Sequence, residues 1–242
     1  MANTPFNFEG RPSDSSLVES VWRTQMEQAG SFISVAAVHC GIVVTNYQDK
    51  ITITVRGPET KATPAAFPAG VDFFGIVFNL GTFMPHLPAK LLMNRNDLNL
   101  PEANNKSFWL HGSAWEFPTF ENVDTFVGRL MHEGLLVHEP VVDAVVQGQP
   151  HDLSLRALQY RFLHATGLTQ ATVHQIERAK QAAALLEQGC SILDTVYEAG
   201  YFDQAHLTRS LKRYMGQTPR QITLAEQQLS YRTKAVLSAT NP

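Results

Sequence analysis

The spacing of apolar residues changes period once along this chain. Ser31–Cys40, Gly41–Tyr47, Lys50–Gly57 and Val71–Gly81 are short runs rich in Val, Ile, Phe and Thr. Turn residues bound them: Gln48-Asp49, Gly57-Pro58, Pro68-Ala69-Gly70 and Gly81. "KITITVR" alternates Ile51, Ile53 and Val55 with Thr52, Thr54 and Arg56, the period of a strand with one wet face. Ser107–Gly112 reads as one more short strand. Strands at this spacing predict a small barrel or sandwich. Ahead of them, "DSSLVESVWRTQ" is the one segment that predicts an early helix.

From Asn122 to about Leu229 the period is helical. "NVDTFVGRLMHEGLL" puts Val123, Phe126, Val127 and Leu130 on one face, with Gly134 near its end. "PVVDAVVQG" has Pro140 at a helix start and stops at Gly148. "SLRALQYRFLHATG" has Ser154 as N-cap and Gly167 as terminator. "ATVHQIERAKQAAALLEQG" is a longer amphipathic helix. "SILDTVYEAG" runs from an N-cap at Ser191 to Gly200, and Asp203 caps "QAHLTRSLKRYM", which Gly216 ends. Pro219 opens one further short helix. Two helices joined by about four residues with a glycine read as a helix-turn-helix. The pattern as a whole predicts an α+β chain, β-rich first and all-α second.

Composition narrows the classes. The 242 residues are 44% hydrophobic and 17% charged, enough apolar content for a real core and unlike a disordered chain. Net charge is -3, which argues against wholesale electrostatic binding to nucleic acid or membrane. The two cysteines, Cys40 and Cys190, are far apart and make no metal-ligand spacing. The polar N-terminus lacks the apolar core of a signal peptide, and no apolar run reaches the ~18 residues of a membrane span. A cytoplasmic location is expected.

Chemistry concentrates in the last helix pair. Leu207, Leu211, Tyr214 and Met215 fall on one stripe, and Gln204, Thr208, Arg209, Lys212 and Arg213 lie off it. A Gln amide pairs bidentately with adenine and Arg with guanine, while Lys and hydroxyls hold phosphates. Such a face is ordinarily just solvated, and bulk charge does not favour DNA. From Glu121 onward there are 11 Lys and Arg against 12 Asp and Glu, a net of -1. Between Gln204 and Gln221, however, stand Arg209, Lys212, Arg213 and Arg220 with no acid.

"GYFDQAHLTRSLKRYMGQTPRQI" resembles the second helix-turn-helix of the AraC/XylS family of transcription regulators. The resemblance rests on Gly200, Tyr201, Leu207, Arg209, Leu211, Lys212, Gly216, Thr218 and Pro219 at their long, specific spacing. It extends upstream through "SLRALQYRFLHATGLT" and "QIERAKQAAALLEQG", covering roughly residues 122–228. It implies two helix-turn-helix units on one linker helix, entering adjacent major-groove segments on one DNA face. The second unit then reads DNA through Gln204, His206, Thr208 and Arg209, with Lys212 and Arg213 on phosphate. The first presents Arg156, Gln159 and Tyr160. Two departures stand out: the turn "GQPHDLS" is long and contains Pro150, and Tyr160 replaces a commonly basic residue.

The resemblance also implies that residues 1–120 are a sensor or dimerisation domain, often cupin-like, and that residues 121–242 bind DNA. Candidate ligand-lining residues are Trp22, Phe74, Phe78, Phe83, Met84, Trp109 and Trp115, although aromatics in a small β-domain are mostly core. His39, His86 and His111 are scattered without an HxH pair, so no metal site is expected. No cofactor is expected, because phosphate-loop, Rossmann and Ser-His-Asp signatures are missing from the sequence. Expected partners are double-stranded promoter or operator DNA, a small-molecule effector, RNA polymerase and a second copy of the chain, and no membrane. Two alternatives stay open: a cupin-like enzyme with a helical targeting domain, and an architectural DNA-binding protein without an effector.

Overall fold

The computed structural model describes residues 6–150 and 152–224. It is an α+β structure, β-rich first and helical second. The strands are β1 (Phe6–Arg11), β2 (Val18–Met26), β3 (Gly30–Ser34), β4 (Gly41–Tyr47), β5 (Lys50–Arg56), β6 (Thr63–Phe67) and β7 (Val71–Phe78). Shorter ones follow: β8 (Thr82–Phe83), β9 (Leu98–Asn99), β10 (Glu102–Asn104), β11 (Ser107–Leu110), β12 (Ser113–Glu116) and β13 (Val137–His138). An antiparallel sheet has the order β1-β2-β7-β4-β5-β9.

Strand periodicity gives this sheet two covered faces. Ile42 and Val44, Ile53 and Val55, and Phe74, Ile76 and Phe78 point to one side, where Phe108, Leu110 and Trp115 of the β10-β11-β12 sheet meet them. Trp22, Met26, Tyr47, Val71 and Phe73 point to the other, under Phe32 and Phe67 of the β3–β6 pair.

The segment expected to be an early helix is strand β2. Its apolar residues do sit at helix-compatible spacing, but it lies between β1 and β7 and exchanges ladder bonds with both. Cross-strand pairing there outweighs a weak local preference. The run Ser31–Cys40, expected as one strand, stops pairing with β6 at Ser34. Beyond it Ala37 makes a lone bridge to Glu59.

The helices are α1 (Val123–His132), α2 (Pro140–Val146), α3 (Leu155–Thr166), α4 (Gln170–Glu187), α5 (Ile192–Glu198), α6 (Gln204–Tyr214) and α7 (Pro219–Leu224). Helix α1 buries Val123, Phe126, Val127 and Leu130 in the same core as the sheet. Helices α2 to α7 share a second core, and Val35, Ala36, Val38 and Phe83 from the β-rich part enter it. No helix among the described residues is long and apolar enough to cross a membrane.

Candidate nucleic-acid interface

Helix α4 is the shared beam of the helical part. Val173, Ile176, Ala179, Ala182, Ala183 and Leu186 form its buried stripe, and the three alanines let neighbouring helices approach closely. Against it stand α5 and α6. Ser191 caps α5 by accepting a bond from the Asp194 N–H, and Asp203 caps α6 by accepting one from the His206 N–H at 2.6 Å. Gly200 takes the left-handed conformation (φ 68°) that turns the chain between them.

The core stripe of α6 is Leu207, Ser210, Leu211 and Tyr214. Tyr201 lies beneath, its hydroxyl 2.9 Å from Ser210 Oγ, and Arg178 of α4 rests on its ring at 4.5 Å. The Tyr214 hydroxyl donates to Gln175 of α4 at 2.7 Å. With that side of α6 fixed inward, Gln204, Arg209, Lys212 and Arg213 are exposed on the other. Among the described residues neither Arg209 nor Lys212 has an acidic partner. Thr208 is half-buried, and its hydroxyl donates to the Gln204 carbonyl at 2.8 Å. His206 is half-buried as well, with its ring edge-on to Tyr201 at 5.1 Å.

Residues 151–224, which span α3 to α7, match the family model of a helix-turn-helix domain. This is an AraC/XylS-type domain. No curated protein and no solved structure matches the chain. With an AraC-type domain built on this frame, the protein is a DNA-binding regulator of transcription.

Ahead of the matched residues, α2 packs against α3 to make the first helix pair. Glu139 caps α2, and Ser154 caps α3 by accepting from the Ala157 N–H at 3.3 Å. Leu158, Phe162, Ala165 and Thr166 are buried. Arg156, Gln159 and Tyr160 are exposed, Tyr160 stacking on His164 with centroids 6.1 Å apart. Arg161 donates two hydrogen bonds to the Glu139 carboxylate, at 2.6 and 3.0 Å.

The aromatic candidates of the β-rich part separate. Phe74 lines a cleft of about 450 Å³ with Arg23, Asp72, Phe120 and Glu121. Arg23 there bridges Glu9 and Glu121, and its hydrogen bond to Glu9 is the main cause raising its already high pKa. Trp22 lines a smaller cavity of about 90 Å³ under β3. Phe78 and Met84 are buried in the sheet core. Phe83 packs edge-on to His164 of α3 at 5.3 Å. Trp115 is buried beneath Arg129 at 4.2 Å, and Trp109 is exposed.

Of the three histidines, His86 and His111 have ring centroids 5.1 Å apart. Burial, then the neighbouring His111 charge, lowers the His86 pKa. His39 is elsewhere, against Glu19 and the Phe78 carbonyl. Among the described residues no cluster of three or more His, Cys, Asp or Glu could hold a metal.

Sequence reasoning did not find the contacts between the β-rich part and α6. The Ala36 N–H donates to the Tyr214 carbonyl and the Ala62 N–H to the Arg213 carbonyl, both at 2.7 Å. These are carbonyls of the last turn, which lack partners within the helix itself. The one available signal was the small-residue run Val35-Ala36-Ala37, which permits close backbone approach.

Proposed function

We propose that the protein is a sequence-specific regulator that acts on promoter or operator DNA in the cytoplasm and responds to a small molecule held by its β-rich part. One observation carries the DNA reading. Packing of Leu207, Leu211 and Tyr214 leaves Gln204, Arg209, Lys212 and Arg213 together on the exposed side of a capped helix. That set combines base-edge readers with phosphate partners. His206 and Thr208, more enclosed, border it, and Arg156, Gln159 and Tyr160 are the first unit's contribution. The effector reading is supported by the 450 Å³ cleft, within the ~300–1,000 Å³ of ligand pockets.

The proposed division is a sensor part followed by a DNA-binding part. The sequence pattern draws it at residues 120/121, and the burial of α1 in the sheet core favours counting α1 with the sensor. RNA polymerase and a second copy of the chain are the further partners in this reading, and it assigns no catalysis to either part. Selection of bound DNA from a random pool with the full chain tests it. An enriched motif, contacted on one face over two adjacent major-groove segments, is expected. A folded chain that enriches no motif contradicts it.

A further inference from the structure

We infer that the 450 Å³ cleft is a binding site for a small organic amine, a single ammonium group on a short apolar stem. The inference rests on the effector-controlled reading above and names the class of molecule that its cleft takes.

The floor of the cleft is two cross-strand rows on one face of the sheet. Register places Arg23 of β2, Phe74 of β7 and Val44 of β4 abreast, with Glu9 of β1 beside Arg23. Two residues along each strand, and so on the same face, Gln25, Asp72 and Asn46 make the next row. Both rows line the cleft. The first is apolar at Phe74 and Val44, and Phe120 closes it, edge-on to Phe74 at 6.3 Å. The second is polar throughout and carries one carboxylate. The rows lie about 7 Å apart along the strands. A ring, a two-carbon arm and one N–H···O bond together cover that separation.

Charge decides the class. Three carboxylates line the cleft, Glu9, Asp72 and Glu121, against the single guanidinium of Arg23. That guanidinium is engaged on every side. Its Nε and Nη2 bond Glu9, both at 2.8 Å, its Nη1 bonds Glu121 at 2.9 Å, and its face lies on the Phe120 ring at 4.4 Å. An entering anion meets Glu9 and Glu121 with no free cation to hold it. Asp72 is the opposite case. Among the described residues its Oδ1 is shielded from solvent without a hydrogen-bond partner, an arrangement that costs free energy until a donor is supplied. An ammonium brings three N–H donors and no acceptor. One serves Asp72, and the other two suit the side-chain carbonyls of Gln25 and Asn46, directly across from Asp72 on the neighbouring strands. The apolar stem then lies toward Phe74, Val44 and Phe120.

The probe is phenethylamine, with the neutral phenethyl alcohol and the anionic hydrocinnamate as matched controls, each titrated calorimetrically into the full chain. The amine should bind saturably, and each control about tenfold or more weakly. Asp72→Asn, which keeps the shape and removes the charge, should erase the amine's advantage over the alcohol. The inference is overturned by a wild-type chain that binds no amine, or that binds the alcohol or hydrocinnamate as tightly. An Asp72→Asn chain that keeps the full preference for the amine also overturns it. Affinity for selected DNA, measured with and without each probe at saturation, separates this inference from its parent. Amine that binds through Asp72 and leaves DNA affinity unchanged upholds the ligand class and contradicts effector control. Hydrocinnamate or alcohol that binds more tightly and shifts DNA affinity keeps effector control and overturns the class. The wild-type titrations decide the matter even if the variant does not fold.

Discussion

The two helix-turn-helix units share a frame and differ in what they do with charge. Both carry an N-capped second helix whose buried stripe leans toward α4. In the first, Arg161 is tied to Glu139, and Tyr160 lies on His164. That unit is also pinned from behind, because Gly167 fits against the backbone of Ala89 and Lys90. In the second, Arg209 and Lys212 stand in solvent, and the contacts from the β-rich part grip the far end of α6. The linking segments differ too: α2 and α3 are joined through Gln147–Ser154, and α5 and α6 through the shorter Ala199–Asp203. Equal folds thus present unequal surfaces, one with its charge partly neutralised and anchored, the other with its charge on offer.

The largest expected effect tests the shared frame. Leu211 is fully buried, and Leu211→Ala should cost about 2–5 kcal/mol in denaturant unfolding. Leu163→Ala, on the open side of α3, should stay within about 0.5 kcal/mol. Comparable losses at both sites would mean that α6 is not packed as described.

Charge comes next. Arg209→Ala should weaken binding to selected DNA by about 1–3 kcal/mol and relax specificity at one base position. Arg161→Ala should leave DNA affinity within about twofold, because its guanidinium already belongs to Glu139. An Arg161 loss as large as that of Arg209 would erase the contrast between the units.

Caps give a smaller test. Asp203→Ala should destabilise by about 1 kcal/mol. Ser154→Ala should cost less, since its capping bond is 3.3 Å long against 2.6 Å. Thermal melting of the two variants side by side checks the order. The smallest effect is on salt dependence: Lys212→Ala should flatten the slope of log affinity against log salt by about one unit, equally on all sequences. An unchanged slope would remove Lys212 from the phosphate contacts.

The helical part was the more legible in sequence. Ser154, Ser191 and Asp203 cap the helices where their side-chain chemistry predicts, and Gly167, Gly200 and Gly216 take the positive φ expected of terminators. Such signals are local, so a single chain carries them. Strand β2 was not legible, because its neighbours β1 and β7 decide its state and β7 lies some fifty residues away. The short strand β13 was missed for the same reason, since its partner β8 is also far away in the chain. The grip on α6 was hidden most completely, since Ala36 and Ala62 act through backbone N–H groups that every residue but proline possesses. Gly216 shows both layers at once: its role as terminator was readable, and its role as the seat of Ile33 was not. The tail beyond Leu224, part of which was expected to be helical, lies outside the described residues.

The contrast between the units is tested most directly by paired alanine variants, Gln204 with Arg209 against Arg156 with Gln159. Each is titrated on selected and on scrambled DNA at one fixed salt concentration, and the ratio of the two affinities is the readout. The account predicts that the Gln204/Arg209 pair collapses this ratio while the Arg156/Gln159 pair lowers both affinities and largely preserves it. A ratio that falls as far or further in the Arg156/Gln159 pair would contradict it and make the first unit the principal reader of sequence.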